Sequence, residues 1–176
     1  MTDPELVRLA EHIRDVPDFP KPGILFKDIS PLLQDPESLR IACRRMAAPF
    51  ARERIDRVVG IESRGFIFGV PVALALGTGF ALARKLGKLP WDTRRESYQL
   101  EYGSAEIEMH SDAVLPGQRV LLVDDVIATG GTAAATARLI RALGGEVVGT
   151  SFLVELGFLN GRKALEGLSV EAVLHF

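Results

Sequence analysis

The stretch Val120-Leu121-Leu122-Val123-Asp124-Asp125-Val126-Ile127-Ala128-Thr129-Gly130-Gly131-Thr132 runs from an unbroken apolar segment into two carboxylates and a glycine turn; a helical pattern then reaches Leu143 and meets Gly144-Gly145. In physical terms it is a buried strand, a turn and a helix. Adjacent carboxylates at the carboxyl end of a buried parallel strand stand where open α/β sheets bind ligands. Left unpaired they are costly there, so Asp124 and Asp125 call for a ligand hydroxyl, a metal or a basic side chain. Ala128 to Thr132 offers small residues, the flexible Gly130-Gly131 pair and two hydroxyls, which lets successive backbone N–H groups converge on an anion at the helix N-terminus. The stretch predicts a phosphate cradle beside a diol clamp. Its bland alternative is a strand ending in a solvated Asp pair and a glycine turn.

Outward from this unit, short apolar runs (VVGI, GFALA, VLLV, EVVGTSFLV, VEAVL) alternate with helix-like segments such as GFIFGVPVALALG and TAAATARLIRALG. That alternation predicts an α/β fold with a mostly parallel central sheet, flanked by helices on both faces. Residues 84–110 interrupt it. They begin basic and then alternate in Tyr98, Leu100, Tyr102 and in Ala105, Ile107, Met109, the pattern of a polar loop followed by an antiparallel hairpin turning at Gly103-Ser104. Upstream, Thr2 or Asp3 can cap a first helix that Val16-Pro17 stops. Half of the ten prolines crowd into PDFPKPGILFKDISPLLQDP, which reads as a long stiffened loop. Asp35-Pro36 can then cap a helix that Pro49 ends or kinks.

With 176 residues the length predicts one domain, residues 1–176, and leaves no room for a second full one. A content of 47% hydrophobic and 25% charged residues is that of an ordinary globular chain, and it argues against disorder. The net charge of −2 gives no field for holding nucleic acid by its phosphates, so a small-molecule partner is expected. The acidic start Met1-Thr2-Asp3-Pro4-Glu5 is unlike a secretory signal, and no apolar run reaches the roughly 20 residues of a membrane span. A cytoplasmic location without membrane attachment is expected. The single cysteine, Cys43, lies among Leu39, Ala42, Met46 and Ala47 at helical spacing and reads as a small buried hydrophobe. His12, His110 and His175 have no metal-ligand spacing.

Other nucleotide and hydrolase motifs fit poorly. Gly60-Ile61-Glu62-Ser63-Arg64-Gly65 has the glycine spacing of a Walker loop but continues into Phe66-Ile67 where Lys and Ser or Thr are required. Gly77-Thr78-Gly79 begins a dinucleotide fingerprint but has Leu82 at its third glycine. Ile61 replaces the first glycine of a nucleophile elbow around Ser63. Arg84, Lys85 and Lys88, with Arg94 and Arg95, form the densest basic run, and such runs are usually solvated.

The acidic pair followed by ATGGT resembles the ribose-phosphate signature of type I phosphoribosyltransferases. FPKPGILFKDISP (Phe19 to Pro31), ESRGFIFG (Glu62 to Gly69), RKLGKLP (Arg84 to Pro90), SYQLEYG (Ser97 to Gly103) and LVELGFLNGR (Leu153 to Arg162) follow in the order of that family's adenine-specific branch. The resemblance covers essentially the whole chain. It implies the family fold, with a small N-terminal hood near residues 1–35 and a mobile loop and hairpin near residues 84–110. It also implies transfer of ribose 5-phosphate from phosphoribosyl pyrophosphate to N9 of adenine, giving AMP and pyrophosphate in purine salvage. Magnesium would arrive bound to phosphoribosyl pyrophosphate, with Asp124 and Asp125 as possible ligands and no fixed site made by protein alone. A homodimer is implied as well.

Residue by residue, the resemblance assigns Asp124 and Asp125 to the ribose hydroxyls, and Ala128, Thr129, Gly130, Gly131 and Thr132 to the 5-phosphate. Ser63 and Arg64 match the pyrophosphate loop, where the family commonly has a cis peptide; a surface ion pair is the plain alternative for Arg64. Arg84, Lys85 and Lys88 fall in the mobile loop, with Lys88 and Arg84 binding pyrophosphate and the Arg84 position tending to reach a neighbouring subunit's site. Glu101 matches the group proposed to handle the base's proton, and Tyr102 sits beside it; by pattern alone the alternating aromatics are hairpin packing. Phe26 would stack on the purine while the backbone of Leu25 and Lys27 bonds its edge. Lys27 departs from the family's frequent Arg. Ala128 stands where oxopurine-specific relatives tend to carry an Asp, which implies selectivity for adenine over hypoxanthine. The competing reading is a non-catalytic regulator that binds phosphoribosyl pyrophosphate; such proteins need an additional DNA-binding domain.

Overall fold

Asp3 opens the first helix, α1 (Pro4–Glu11): its Oδ1 accepts the Glu5 N–H at 2.9 Å, and Pro4 takes the first helical position. The structure, a computed structural model, describes residues 3–99 and 104–176. The chain divides into two compact units, Met1–Arg45 and Met46–Phe176.

In the first unit α1 ends at Glu11 rather than running on to Val16-Pro17. Residues Arg14–Pro17 instead form strand β1, antiparallel to β2 (Leu25–Asp28), with Val16 opposite Phe26 and Asp15 opposite Lys27. The proline-rich stretch expected as one long loop is therefore a hairpin flanking a short loop. Pro17 is tolerated at a strand end where no ladder N–H is demanded. Asp18 closes the turn by accepting the Gly23 N–H at 2.7 Å. Next come α2 (Ser30–Gln34) and α3 (Pro36–Ala47). Asp35 caps α3 as expected, accepting the Ser38 N–H at 2.8 Å and an Arg8 guanidinium hydrogen bond at 2.7 Å. The α-helix stops at Ala47, and Pro49 lies in the 3-10 turn Ala48–Phe50.

The second unit is built on β3 (Arg57–Ile61), α4 (Gly65–Ala75), β4 (Gly79–Lys85), β5 (Thr93–Gln99), β6 (Ser104–His110), β7 (Arg119–Ile127), α5 (Gly131–Ala142), β8 (Glu146–Glu155) and β9 (Val170–His175). Its seven-stranded sheet has the order β5-β6-β4-β3-β7-β8-β9. The five strands β4, β3, β7, β8 and β9 are parallel, while β6 runs antiparallel to β4 and β5 antiparallel to β6. The hairpin is thus present, but Ser104, expected in its turn, begins β6. The other expected turn residue, Gly103, lies outside the described residues.

Successive residues of a strand face opposite sides, and Val120, Leu121, Leu122 and Val123 of β7 are all 0% exposed, so both faces of the sheet are covered. One face packs Val59, Ile61, Val120 and Leu122 with Ala133, Ala137 and Ile140 of α5. α4 lies against β3, β4 and β7, its Phe66 ring edge-on to Phe80 at 6.1 Å. The sheet's parallel core carries the carboxyl ends of β3 and β7 to one edge, and the loops that follow them meet there.

Candidate active site

A cavity of about 400 Å³ opens at that edge. One wall is the turn after β3, Glu62 to Arg64; the opposite wall is the end of β7 and the start of α5, Asp124 to Ala133; Lys85, Tyr98 and Ile107 complete the lining. The β7 wall follows from its sequence. Gly130 has φ +79°, a left-handed conformation that glycine adopts without strain, and it turns the chain directly into α5. The first turn of a helix leaves its N–H groups without intrahelical partners, and here they border the cavity.

Asp124 and Asp125 are neighbours in sequence on opposite faces of β7, because a strand's side chains alternate. Asp125 is 5% exposed and accepts a hydrogen bond from the Arg64 guanidinium. Asp124 is half-buried, and its Oδ1 accepts the Asp125 N–H at 2.8 Å. Burial first, and then the charge of Asp125, push the Asp124 carboxyl well above the ordinary carboxylate range, with Arg64 opposing weakly.

On the other wall the Glu62–Ser63 peptide is cis, as the resemblance implied for this loop. Glu62 accepts hydrogen bonds from Arg84 Nε at 3.1 Å, Arg84 Nη2 at 3.4 Å and the Lys85 N–H at 3.0 Å. Burial alone would raise the Glu62 carboxyl, but these donors outweigh it and hold the group below its ordinary value.

Ser63, Arg64, Lys85, Asp124, Asp125, Ala128, Thr129, Gly130, Gly131 and Thr132 are thus brought around one cavity. Arg84 is not part of its lining; it reaches it through Glu62 and also donates to the Lys88 carbonyl at 2.8 Å. The Lys88 side chain is exposed. Leu25, Phe26 and Lys27 form β2 of the first unit, where Lys27 Nζ bonds Asp15 Oδ1 at 2.6 Å and Phe26 meets Phe19 edge-on at 5.1 Å. Glu101 and Tyr102 lie outside the described residues. Among the described residues no three His, Cys, Asp or Glu side chains gather as a metal-ligand set.

Two acidic partners were not singled out by sequence reasoning. In sequence Glu62 stands out only as a member of the Gly60–Gly65 stretch, with no spacing that marks it as a partner for Arg84. Glu108 belongs to the alternation of β6, which placed it opposite the apolar Ile107 and Met109, yet it is 3% exposed. Its Oε1 accepts the N–H groups of Lys88 and Leu89 at 3.0 and 3.2 Å, and its Oε2 the Thr93 hydroxyl at 3.3 Å. The loop between β4 and β5 covers this carboxylate, a long-range closure that strand periodicity does not encode.

Chemically, the cavity offers anion-binding N–H groups, two carboxylates suited to hydroxyls or a cation, and the cations Arg64 and Lys85. The sequence matches the phosphoribosyl transferase domain family over residues 31–166. It is 57% identical over 164 residues to an adenine phosphoribosyltransferase of Anaeromyxobacter dehalogenans, covering 93% of this chain and 95% of that one. An adenine phosphoribosyltransferase from Rhodothermus marinus superposes with a TM-score of 0.94 at 57% identity, covering 98% of both chains. The Saccharomyces cerevisiae enzyme of the same name, complexed with adenine and an imino-altritol bisphosphate, superposes with a TM-score of 0.91 at 39% identity over 96% of this chain and 98% of that one.

Proposed function

Because this chain belongs to the phosphoribosyl transferase family, and within it to the adenine phosphoribosyltransferases, we propose that its cavity is the phosphoribosyl pyrophosphate site of a purine-salvage transferase making AMP and pyrophosphate from adenine. The observation that carries this assignment is one cavity lined by the Asp124-Asp125 pair, the Ala128–Thr132 turn and the facing Arg64 and Lys85. A sugar phosphate with two free hydroxyls and a second anionic group satisfies all of them.

In this reading the N–H groups of Thr129 to Thr132 hold the 5-phosphate and Ala128 gives it room. Asp124 and Asp125 receive the ribose hydroxyls. Breaking the anomeric C–O bond places positive charge on the ribose ring and negative charge on pyrophosphate, while N9 of adenine forms the new bond and loses its proton. Ser63 and Arg64 face the leaving group, with Lys85, Lys88 and Arg84 supplying further positive charge. Glu101, with Tyr102 beside it, takes the role of handling the base's proton. The backbone of Leu25 and Lys27 reads the adenine edge and Phe26 stacks on its ring. The Lys27 ammonium is held by Asp15, so the Arg-to-Lys departure leaves backbone recognition in place.

Magnesium fits the donor set: Asp124 is a cavity-lining carboxylate whose negative charge is disfavoured by burial, and a cation offsets that cost. When bound with the substrate, the ion neutralises charge on pyrophosphate. A homodimer is part of the proposal. It is supported by α4, which carries no charged residue and leaves Ile67, Val70 and Leu74 exposed at helical spacing. The unpaired Cys43 thiol supports a reducing, cytoplasmic setting.

The test is an assay of each purine base with phosphoribosyl pyrophosphate and magnesium, following pyrophosphate release. Adenine turns over. Hypoxanthine is disfavoured by at least roughly a hundredfold in kcat/KM, because its 6-oxo group and N1–H mispair with backbone groups suited to adenine. Tight binding of phosphoribosyl pyrophosphate with no turnover of any base would instead identify a non-catalytic regulator.

A further inference from the structure

Glu155 ends β8 at the same carboxyl edge of the sheet, and it is 8% exposed. Arg162 grips it with a fork: Nε lies 2.8 and 3.0 Å from the two carboxylate oxygens and Nη2 2.8 Å from Oε2. The remaining arm, Nη1, donates to the Val170 carbonyl at 2.7 Å. His175 Nδ1 stands 3.0 Å from Glu155 Oε2. Backbone bonds from Leu156 N to the Ile127 carbonyl at 3.0 Å and from Gly157 N to the Phe176 carbonyl at 2.9 Å tie the same corner to β7 and to the residue following β9. Planar, charge-assisted pairing of this kind fixes orientation as well as charge. It anchors the segment Gly161–Leu165, which carries Arg162, to the sheet.

That segment lies directly behind the anion-binding turn. A methyl group on Gly161 would come within 2.3 Å of the Ala128 carbonyl oxygen, and one on Gly130 within 2.3 Å of the Gly161 carbonyl oxygen. The two backbones touch at positions where only glycine fits. We propose that Arg162, clamped by Glu155, is a positioning residue that sets the Ala128–Thr132 turn through Gly161, and so determines affinity for the 5-phosphate. The proposal rests on the reading that this turn holds that phosphate. Arg162 itself does not line the cavity.

The experiment compares Gly161→Ala, Arg162→Gln and Arg162→Lys with the parent chain, using calorimetry with AMP, ribose 5-phosphate and inorganic pyrophosphate. Amide hydrogen exchange at Thr129 to Thr132 is followed without ligand, and melting temperature checks folding. Gly161→Ala is expected to weaken AMP and ribose 5-phosphate by about tenfold or more, the scale set by small misplacements of a binding group, with pyrophosphate affinity nearly unchanged. Arg162→Gln should act in the same direction, with faster exchange in the turn and a rise in KM for phosphoribosyl pyrophosphate larger than the fall in kcat. Arg162→Lys, which keeps the charge without the fork, should fall between Arg162→Gln and the parent. Parent-like AMP affinity and parent-like exchange in Arg162→Gln and Gly161→Ala overturn the proposal alone. An equal loss of pyrophosphate affinity also overturns it, since the effect would then not be local to the turn. Absence of AMP and ribose 5-phosphate binding by the parent chain overturns the reading of the turn itself, and the proposal with it.

Discussion

Asp124 and Asp125 divide two tasks because the pleat of β7 sends them to opposite faces. Both line the cavity; Asp125 is held by Arg64, while the charge of Asp124 is disfavoured by burial and by its neighbour. Asp124→Asn removes one member of this like-charged pair and should leave the melting temperature equal to or above the parent's, while magnesium-dependent binding of phosphoribosyl pyrophosphate weakens by about tenfold or more. Calorimetry with and without magnesium measures this; unchanged metal-dependent binding would remove Asp124 from the clamp. Cys43 gives a second expectation at this scale. Its side chain is half-buried, not fully buried as the helical spacing suggested. That partial burial still pushes its thiol up to about 11, so the folded protein holds the proton more tightly than the unfolded chain, whose thiol titrates near 8.5. Stability from this group is complete below about pH 8.5 and is lost as pH rises towards about 11. Thiol-reactive reagents at neutral pH should therefore label the folded protein much more slowly than the unfolded one. Equal labelling rates would show the thiol to be accessible.

At the scale of elements, Arg84 and Lys85, expected in a loop, end β4, and of the basic residues assigned to pyrophosphate only Lys88 lies in the loop between β4 and β5. The Lys88 and Leu89 N–H groups hold that loop to Glu108 of the hairpin. Glu108→Ala leaves the Lys88 and Leu89 N–H groups without that acceptor, at a cost of about 1 kcal/mol per bond lost. Trypsin should then cut at Lys85 and Lys88 several times faster than in the parent, in line with that cost. Saturating phosphoribosyl pyrophosphate with magnesium should protect both sites in the parent protein. Cleavage at one rate with and without ligand would mean that this loop does not close over the substrate.

For the molecule as a whole, carboxylates in both units are held below their ordinary range by basic and N–H partners. Glu5 owes this first to Arg45, Asp35 to Ser38 and then Arg8, Asp56 to the Arg119 backbone, and Glu155 to Arg162. A group with a lowered folded pKa binds its proton less tightly when folded. Its stabilisation is present above the unfolded value, about 4, and is lost as pH falls through the folded value. The melting temperature should therefore stay near its neutral-pH level down to about pH 5 and fall steeply below about pH 4. Glu155→Gln should flatten part of that acid limb. A melting temperature independent of pH between about 6 and 3 would contradict the assignment of these pairs.

The order of apolar runs and the VLLVDD–ATGGT stretch determined, from sequence alone, a mostly parallel sheet with a glycine turn leading from β7 into a helix, because strand and helix periods and glycine conformation are local properties. The cap at Asp35 and the helix end near Pro49 were legible for the same reason. The ends of α1 and of the proline-rich segment were not, since pairing of β1 with β2 is a contact between distant residues that overrides the local pattern. The tertiary structure alone decided which charges meet: Arg64 with Asp125, Arg84 with Glu62, the Lys88 backbone with Glu108, and Arg162 with Glu155. Such pairs depend on how strands line up across the sheet. A charged residue's partner is set by that three-dimensional register, which the spacing of residues along one strand does not contain.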